Sequence, residues 1–186
     1  DNYTNAFPVF KKYNVPFTIY LTTGFIQEDV SCWWYDIEDI IRANELIVFE
    51  DEVLICRTVQ EKEEVFMYLR EILISKTKEE LSKTLDKFIS LHSLNSKVNA
   101  EKLFMDWSQV KELSRDHLVT LGSHTSTHHA MNRLSKLEII EDITNSNALI
   151  EAEINKKVTH FAYPFGSRNE VGEKEFEIIK NLNFAT

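Results

Sequence analysis

His124 and His128 stand four residues apart in the stretch Val119-Thr-Leu-Gly-Ser-His-Thr-Ser-Thr-His-His129. Neutral imidazole nitrogen suits zinc, cobalt, nickel or iron(II). A catalytic site for such a metal also needs a third protein ligand and an open position for water. Between the two histidines lie only hydroxyl residues, Thr125, Ser126 and Thr127. Their side chains compete for the backbone and favour a tight turn over a regular helix. Val119 to Leu121 is a β-branched and apolar run ended by Gly122, so the turn is expected at the C-terminal end of a strand. There, two imidazoles can converge on one ion. A pair at this spacing also arises by chance; the strand end, the preceding glycine and the absence of an apolar residue between them point to ligands. A metalloprotease helix does not fit, because it needs Glu directly after the first histidine, where Thr125 stands. His129 is expected to point elsewhere, as a rim histidine.

The elements that must position this turn can be read along the chain. Phe7, Phe10 and Tyr13 fall on a helical period over Asn5 to Tyr13, with Pro8 tolerable in the first turn. Val15-Pro16 breaks that helix. Phe17 to Thr22 is nearly continuously apolar, as a strand buried on both faces should be, and Gly24 ends it. Trp33, Trp34 and Tyr35 then precede an amphipathic helix over Asp36 to Asn44, and Leu46–Phe49 with Val53–Cys56 reads as a hairpin. Thr58 with Glu61 and Thr77 with Glu80 are capping boxes that open two further helices. Asp106 to Gln109 starts another, with Trp107, Val110 and Leu113 facing inward. Ser135 and Glu138 form a third capping box and open a long helix to Asn155. Val158 to Tyr163 reads as a strand stopped at Pro164-Phe165-Gly166. A helix over about Val171 to Leu182 then leads into Phe184 to Thr186, the first residues of one more strand.

Strand and helix alternate through most of the chain, which implies parallel strands joined by right-handed helical crossovers. In such folds chemistry sits at the C-terminal ends of strands. Three expected ends carry Thr22-Thr23-Gly24, Ser123 to His128, and Tyr163 to Gly166. The segment at about 27–105 reads as a mostly helical insertion beside the strands.

With 186 residues and 43% apolar content, one sizeable core and one domain are expected. The net charge of −9, with Lys and Arg scattered among acids, leaves no basic footprint for nucleic acid. No run of about 18 apolar residues could span a membrane. Cys32 and Cys56 lie in no motif and read as buried small apolar residues. The chain opens at Asp1 without a signal peptide, as an excised segment would.

Gly122-Ser-His-Thr-Ser-Thr-His128 with Leu134-Ser135, followed by Phe161-Ala-Tyr-Pro-Phe-Gly166, resembles the polysaccharide deacetylase family (carbohydrate esterase family four). Asp1 to Pro8 and Tyr13 to Thr18 are similar to the segment after that family's first motif, and Trp33-Trp34 and the Asp106-Trp107 helix also have counterparts there. The resemblance implies an α/β fold: a distorted, incomplete (β/α) barrel with a helical insertion, truncated at both ends. It implies metal-dependent removal of N-acetyl (or O-acetyl) groups from an acetylated oligo- or polysaccharide. In this likeness His124 and His128 are the histidine ligands of a divalent metal, foremost Zn, with Co, Ni or Fe as alternatives. Thr125 ties the loop by a hydrogen bond, the backbone N–H of Phe165 after Pro164 serves an oxyanion hole, and Tyr163 shapes the pocket wall. The family's consecutive aspartates, third ligand and base, are absent from this sequence, as is its general-acid histidine, so the fragment is expected to be inactive alone. Ala162 stands where many relatives have Arg, and His129 where they often have Pro. The cell envelope and the cytoplasmic face of polysaccharide synthesis are both compatible with this likeness. Two other readings are a non-catalytic carbohydrate-binding or scaffolding member, and a different metal-dependent hydrolase on a barrel.

Overall fold

Short apolar runs punctuated by Pro, Gly and capping residues dictate the elements of this chain, whose computed structural model describes residues 2–92 and 103–186. A wide π-type turn at Asn2–Ala6 runs into helix α1 (Phe7–Lys12), with Pro8 in its first turn where a missing N–H costs nothing. Strand β1 (Phe17–Leu21) follows, then a single helical turn, α2 (Thr23–Ile26). Next come helix α3 (Trp33–Ala43), hairpin strands β2 (Leu46–Phe49) and β3 (Glu52–Ile55), and helices α4 (Val59–Ser75) and α5 (Lys78–Leu91). Helix α6 (Trp107–Leu113), strand β4 (Val119–Ser123), helix α7 (Lys136–Ile154) and helix α8 (Glu173–Lys180) complete the order.

The chain divides into two compact units, one of Asp1–Val30 with Glu101–Thr186, the other of Ser31–Ala100. In the first unit β1 and β4 pair in parallel, from Phe17 opposite Val119 to Leu21 opposite Ser123. Because the two strands end in register, the loops after Leu21 and after Ser123 emerge side by side. Ile19, Leu21 and Leu121 bury against Phe7, Val110, Leu113 and Ile150 in one apolar cluster. A second cluster joins Ile139 and Ile143 of α7 to Phe161, Ile178 and Ile179. Each fully buried Leu or Ile in such a cluster contributes about 1.5–3 kcal/mol of transfer free energy.

The second unit is built on capped amphipathic helices. At the starts of α4 and α5 the hydroxyls of Thr58 and Thr77 accept from the N–H groups of Glu61 and Glu80, whose carboxylates accept in return from the cap N–H. Val65, Leu69, Leu73, Leu85 and Phe88 are buried on their inner faces. Lys62 closes the C-terminal end of α3, its ammonium donating to the carbonyls of Ile41, Arg42 and Asn44 at 2.6, 3.0 and 2.9 Å. The hairpin buries Ile47 and Phe49 on one face and exposes Leu46, Val48, Val53 and Ile55 on the other.

The mixed α/β class agrees with the alternation in the sequence, but some elements differ from it. Helix α3 starts three residues earlier than expected, because Trp33 lies one turn before Ile37 and extends the same buried stripe. Val158 to Tyr163 is not a strand but one isolated parallel bridge, Ser123 to Phe161. The cause is that Ser123, the last residue of β4, is where the pairing begins: its N–H donates to His160 O and its carbonyl accepts from Ala162 N. On the other side, Ala185 N donates to Thr159 O and Phe161 N to Thr186 O, so the chain end does lie alongside, without forming a strand. The portion of the expected insertion at 93–102 lies outside the described residues.

Candidate functional site

The turn after β4 is compact because its own hydroxyls fold it. His128 N–H donates to Thr125 Oγ1 at 3.0 Å, closing Thr125 to His128 on itself. Thr125 and His128 both take left-handed backbone conformations, φ 66° and 52°, which a β-branched threonine rarely adopts. Non-glycine residues in that region cost about 1–3 kcal/mol each and persist only where surroundings over-determine them.

Those surroundings come from two directions. From the end of β1, Thr22 Oγ1 donates to His124 O at 3.0 Å, and the N–H groups of Thr23 and Gly24 donate to the carbonyls of Thr125 and Ser126 at 3.3 and 3.0 Å. Gly24 is required there: a Cβ on it would lie 2.4 Å from Ser126 O. From α7, Asp142 Oδ1 accepts from the N–H groups of Ser126 at 2.9 Å and Thr127 at 3.1 Å, while Oδ2 accepts from Thr127 Oγ1 at 2.7 Å. Asp142 is buried on the same stripe as Ile139 and Ile143. Sequence reading passed over it. The available signal was a carboxylate one residue from Ile143 on the apolar face of a helix, a place where an unpartnered charge would be costly.

The imidazoles of His124 and His128 lie 4.8 Å apart between ring centroids, their planes at 76°. His124 Nδ1 is 2.8 Å from Ala162 O. A carbonyl only accepts, so Nδ1 carries the proton and the lone pair sits on Nε2, which fixes the tautomer a metal ligand needs. Ala162 thus acts here through its main chain. Burial holds both rings below the usual histidine range, and for His128 burial plus the neighbouring His124 brings the pKa to about 3. Both are therefore neutral donors at neutral pH. His128 lies between Phe165, edge-on at 4.9 Å, and Phe25, at 5.6 Å, which itself stacks on Phe104 at 4.8 Å. His129 is buried, not on a rim, so that expectation is corrected.

Phe165 sits at the centre of a γ-turn: Gly166 N–H donates to Pro164 O at 2.7 Å, and Phe165 has φ 61°. The structure thus brings His124, His128, Thr125 and Phe165 together. Tyr163, expected to shape the pocket wall, packs edge-on to Phe161 at 5.1 Å and Phe176 at 5.5 Å. Its phenol is held above its ordinary pKa by burial and by the Glu175 carboxylate. Beside the two histidines opens a cleft of about 180 Å³, walled by Ile19, Leu21, Phe25, Ile26, Phe104 and Met105 among others. A larger cleft of about 750 Å³, with Ile41, Phe66 and Met67 in its wall, belongs to the second unit and holds no comparable donor set.

The donor set fits a divalent metal: two neutral imidazoles, one with its tautomer locked, 4.8 Å apart in one half-buried turn. Among the described residues no group of three or more His, Cys, Asp or Glu side chains comes together, so a third protein ligand is not supplied by them. Also among the described residues, no helix is long and apolar enough to cross a membrane.

This is a mixed α/β protein with a histidine pair at the C-terminal edge of its parallel strands. It belongs to the polysaccharide deacetylase family, whose model matches residues 1–183. Among solved structures, it is similar to the deacetylase domain of BpsB from Bordetella bronchiseptica, at 13% identity and TM-score 0.50 over 98% of this chain and 56% of that one. It is also similar to a CE4 family pseudoenzyme from Bacillus anthracis, at 31% identity and TM-score 0.38 over 42% of this chain and 26% of that one. The chain therefore spans well under two thirds of either structure's length. No curated protein matches the sequence.

Proposed function

We infer that this chain carries part of the active site of a metal-dependent hydrolase that removes N-acetyl, or O-acetyl, groups from a sugar or polysaccharide. The observation that carries the reading is the pair of neutral imidazoles 4.8 Å apart at the strand end, with Phe165 packed on the second of them. His124 and His128 would hold the metal, zinc foremost and cobalt, nickel or iron as alternatives. Bound there, a divalent metal would polarise the acetyl carbonyl and acidify a water molecule. Thr125 keeps the two rings in one turn through its bond to His128 N. The strained γ-turn at Phe165 would present its backbone N–H to the developing oxyanion, with Pro164 setting the turn and Tyr163 backing it. The cleft beside the histidines, with Ile19, Leu21 and Phe25 in its wall, would take the acetyl group. The strands are read as one arc of a distorted, incomplete (β/α) barrel, and residues at about 27–105 as a mostly helical insertion in a single deacetylase-like domain.

No two consecutive aspartates occur in the 186 residues, so the paired base and third ligand of the family have no counterpart in them. General acid and base groups typically contribute about 10²–10⁴-fold each, and without them this stretch of chain binds but does not turn over. The test is acetate release from an N-acetylated oligosaccharide with added zinc or cobalt. The 186-residue chain is assayed beside one extended at both ends. Background release from the first and turnover by the second, abolished by His124→Ala, is the expected result. Equal turnover by both would overturn the mechanism. No turnover by an extended chain that binds zinc and sugar would make the protein a non-catalytic carbohydrate-binding member.

A further inference from the structure

The turn that carries the two histidines has little reason to hold its shape unaided. Two of its residues, Thr125 and His128, sit in left-handed conformations. Between them lie Ser126 and Thr127, and both are gripped by one side chain. Asp142 Oδ1 accepts from both of their N–H groups, Oδ2 accepts from Thr127 Oγ1, and the Asp142 carbonyl accepts from Ser126 Oγ at 3.1 Å. Asp142 is itself buried, placed on α7 between Ile139 and Ser146 on a stripe packed into the core. Hydrogen bonds to a carboxylate are shorter and about twice as strong as neutral ones. Aimed at two successive N–H groups, they fix the orientation of both peptide planes on the path from His124 to His128.

We propose that Asp142 is a positioning residue for the histidine pair: it sets the spacing and tilt of the two imidazoles and thereby the affinity for a divalent metal. This rests on the reading of His124 and His128 as metal ligands. The bonds of Asp142 go to Ser126 and Thr127, and it would not be a ligand of the ion. Its action runs through the peptide groups of Ser126 and Thr127, much as outer partners of metal ligands orient the ligands themselves. The carboxylate is needed for its geometry. An asparagine can keep it, with its oxygen accepting from the two N–H groups and its NH₂ donating to a Thr127 hydroxyl that has turned.

The experiment is an isothermal titration of zinc into the 186-residue chain and its variants, with thermal unfolding measured on each. Asp142→Ala should weaken zinc binding by about 10–100-fold, as loss of an outer-shell partner does. Asp142→Asn should stay close to the wild type. Ser146→Ala removes the buried bond from Ser123 Oγ one turn further along α7. It should lower stability and leave zinc affinity unchanged, which separates positioning from general loosening of the helix. Asp142→Ala folded and binding zinc like the wild type would overturn the proposal. Should Asp142→Ala fail to fold, Thr127→Val decides: it removes only the Oδ2 bond, so weaker binding supports the role and unchanged binding overturns it. A wild-type chain that takes up zinc in a manner indifferent to His124→Ala would remove the functional reading itself, and the proposal with it.

Discussion

The helical unit of residues 31–100 and the strand-end turn of residues 122–128 are held by different physics. In the former, long helices are opened by capping boxes and secured by buried Leu, Val, Ile and Phe. In the latter, a short segment is kept in unfavourable backbone conformations by polar bonds from Thr22, Thr23, Gly24 and Asp142. The first arrangement is stabilised by area removed from water, which tolerates small displacements. The second is stabilised by directed bonds, which do not. That contrast suits a structural unit on one side and a site that must hold two rings at a set distance on the other.

Five changes should break or sharpen this contrast, in falling order of effect. Leu69→Ala, at a fully buried position of α4, should cost about 2–5 kcal/mol in chemical unfolding, the range for a large-to-small core change. A loss under 1 kcal/mol, on the order seen at surfaces, would show that the helical unit does not depend on its apolar stripe. Gly24→Ala adds one methyl against Ser126 O and should cost about 1–3 kcal/mol, with altered chemical shifts at His124 and His128. Unchanged shifts there would show that β1 does not clamp the turn.

Thr58→Ala removes the cap of α4 and should cost about 0.5–2 kcal/mol, with no change at the histidines. Its partner Glu61 is held below the usual glutamate range, first by the Thr58 N–H, so the sign of its pH dependence follows. The stabilisation is full above the unfolded pKa and is lost as pH falls through the lower folded value. Glu61→Gln should accordingly flatten the acid limb of the stability profile; an unaltered limb would contradict the capping box as a source of it. The smallest effect is expected of Lys83→Ala. It breaks an exposed i,i+4 ion pair with Glu79, and such pairs are worth about 0.3–0.5 kcal/mol or nothing measurable. A loss above 1 kcal/mol would exceed the usual range for exposed pairs and mean that this helix face is not simply solvated.

What could be read from the sequence was local. The capping boxes at Thr58, Thr77 and Ser135 join residues three apart, and each forms both of its bonds. The hairpin, the strand ended near Gly122 and the hydroxyl turn after it are likewise set by neighbours. The parts that escaped depend on distant partners. Asp142 acts across some fifteen residues of sequence, and nothing near it marks Ser126 and Thr127 as its donors. The carbonyl of Ala162 as partner of His124 is invisible in a side-chain pattern. Val158 to Tyr163 has strand composition, but it meets β4 just at the last residue, Ser123, and Ala185 and Thr186 on its other side, which yields one bridge and no strand. His129 has the polarity of a rim residue and is nonetheless enclosed, which its neighbours in sequence do not foretell.

The central claim is that His124 and His128 act together as donors to one divalent ion. Imidazole ¹⁵N resonances followed during a zinc titration test this most directly, because each ring reports its own nitrogen. The account predicts that the resonances of His124 and His128 move together, with Nε2 of His124 as the responding atom, while His92, His117 and His160 stay unmoved. A response confined to one of the two rings, or centred on other histidines, would contradict it.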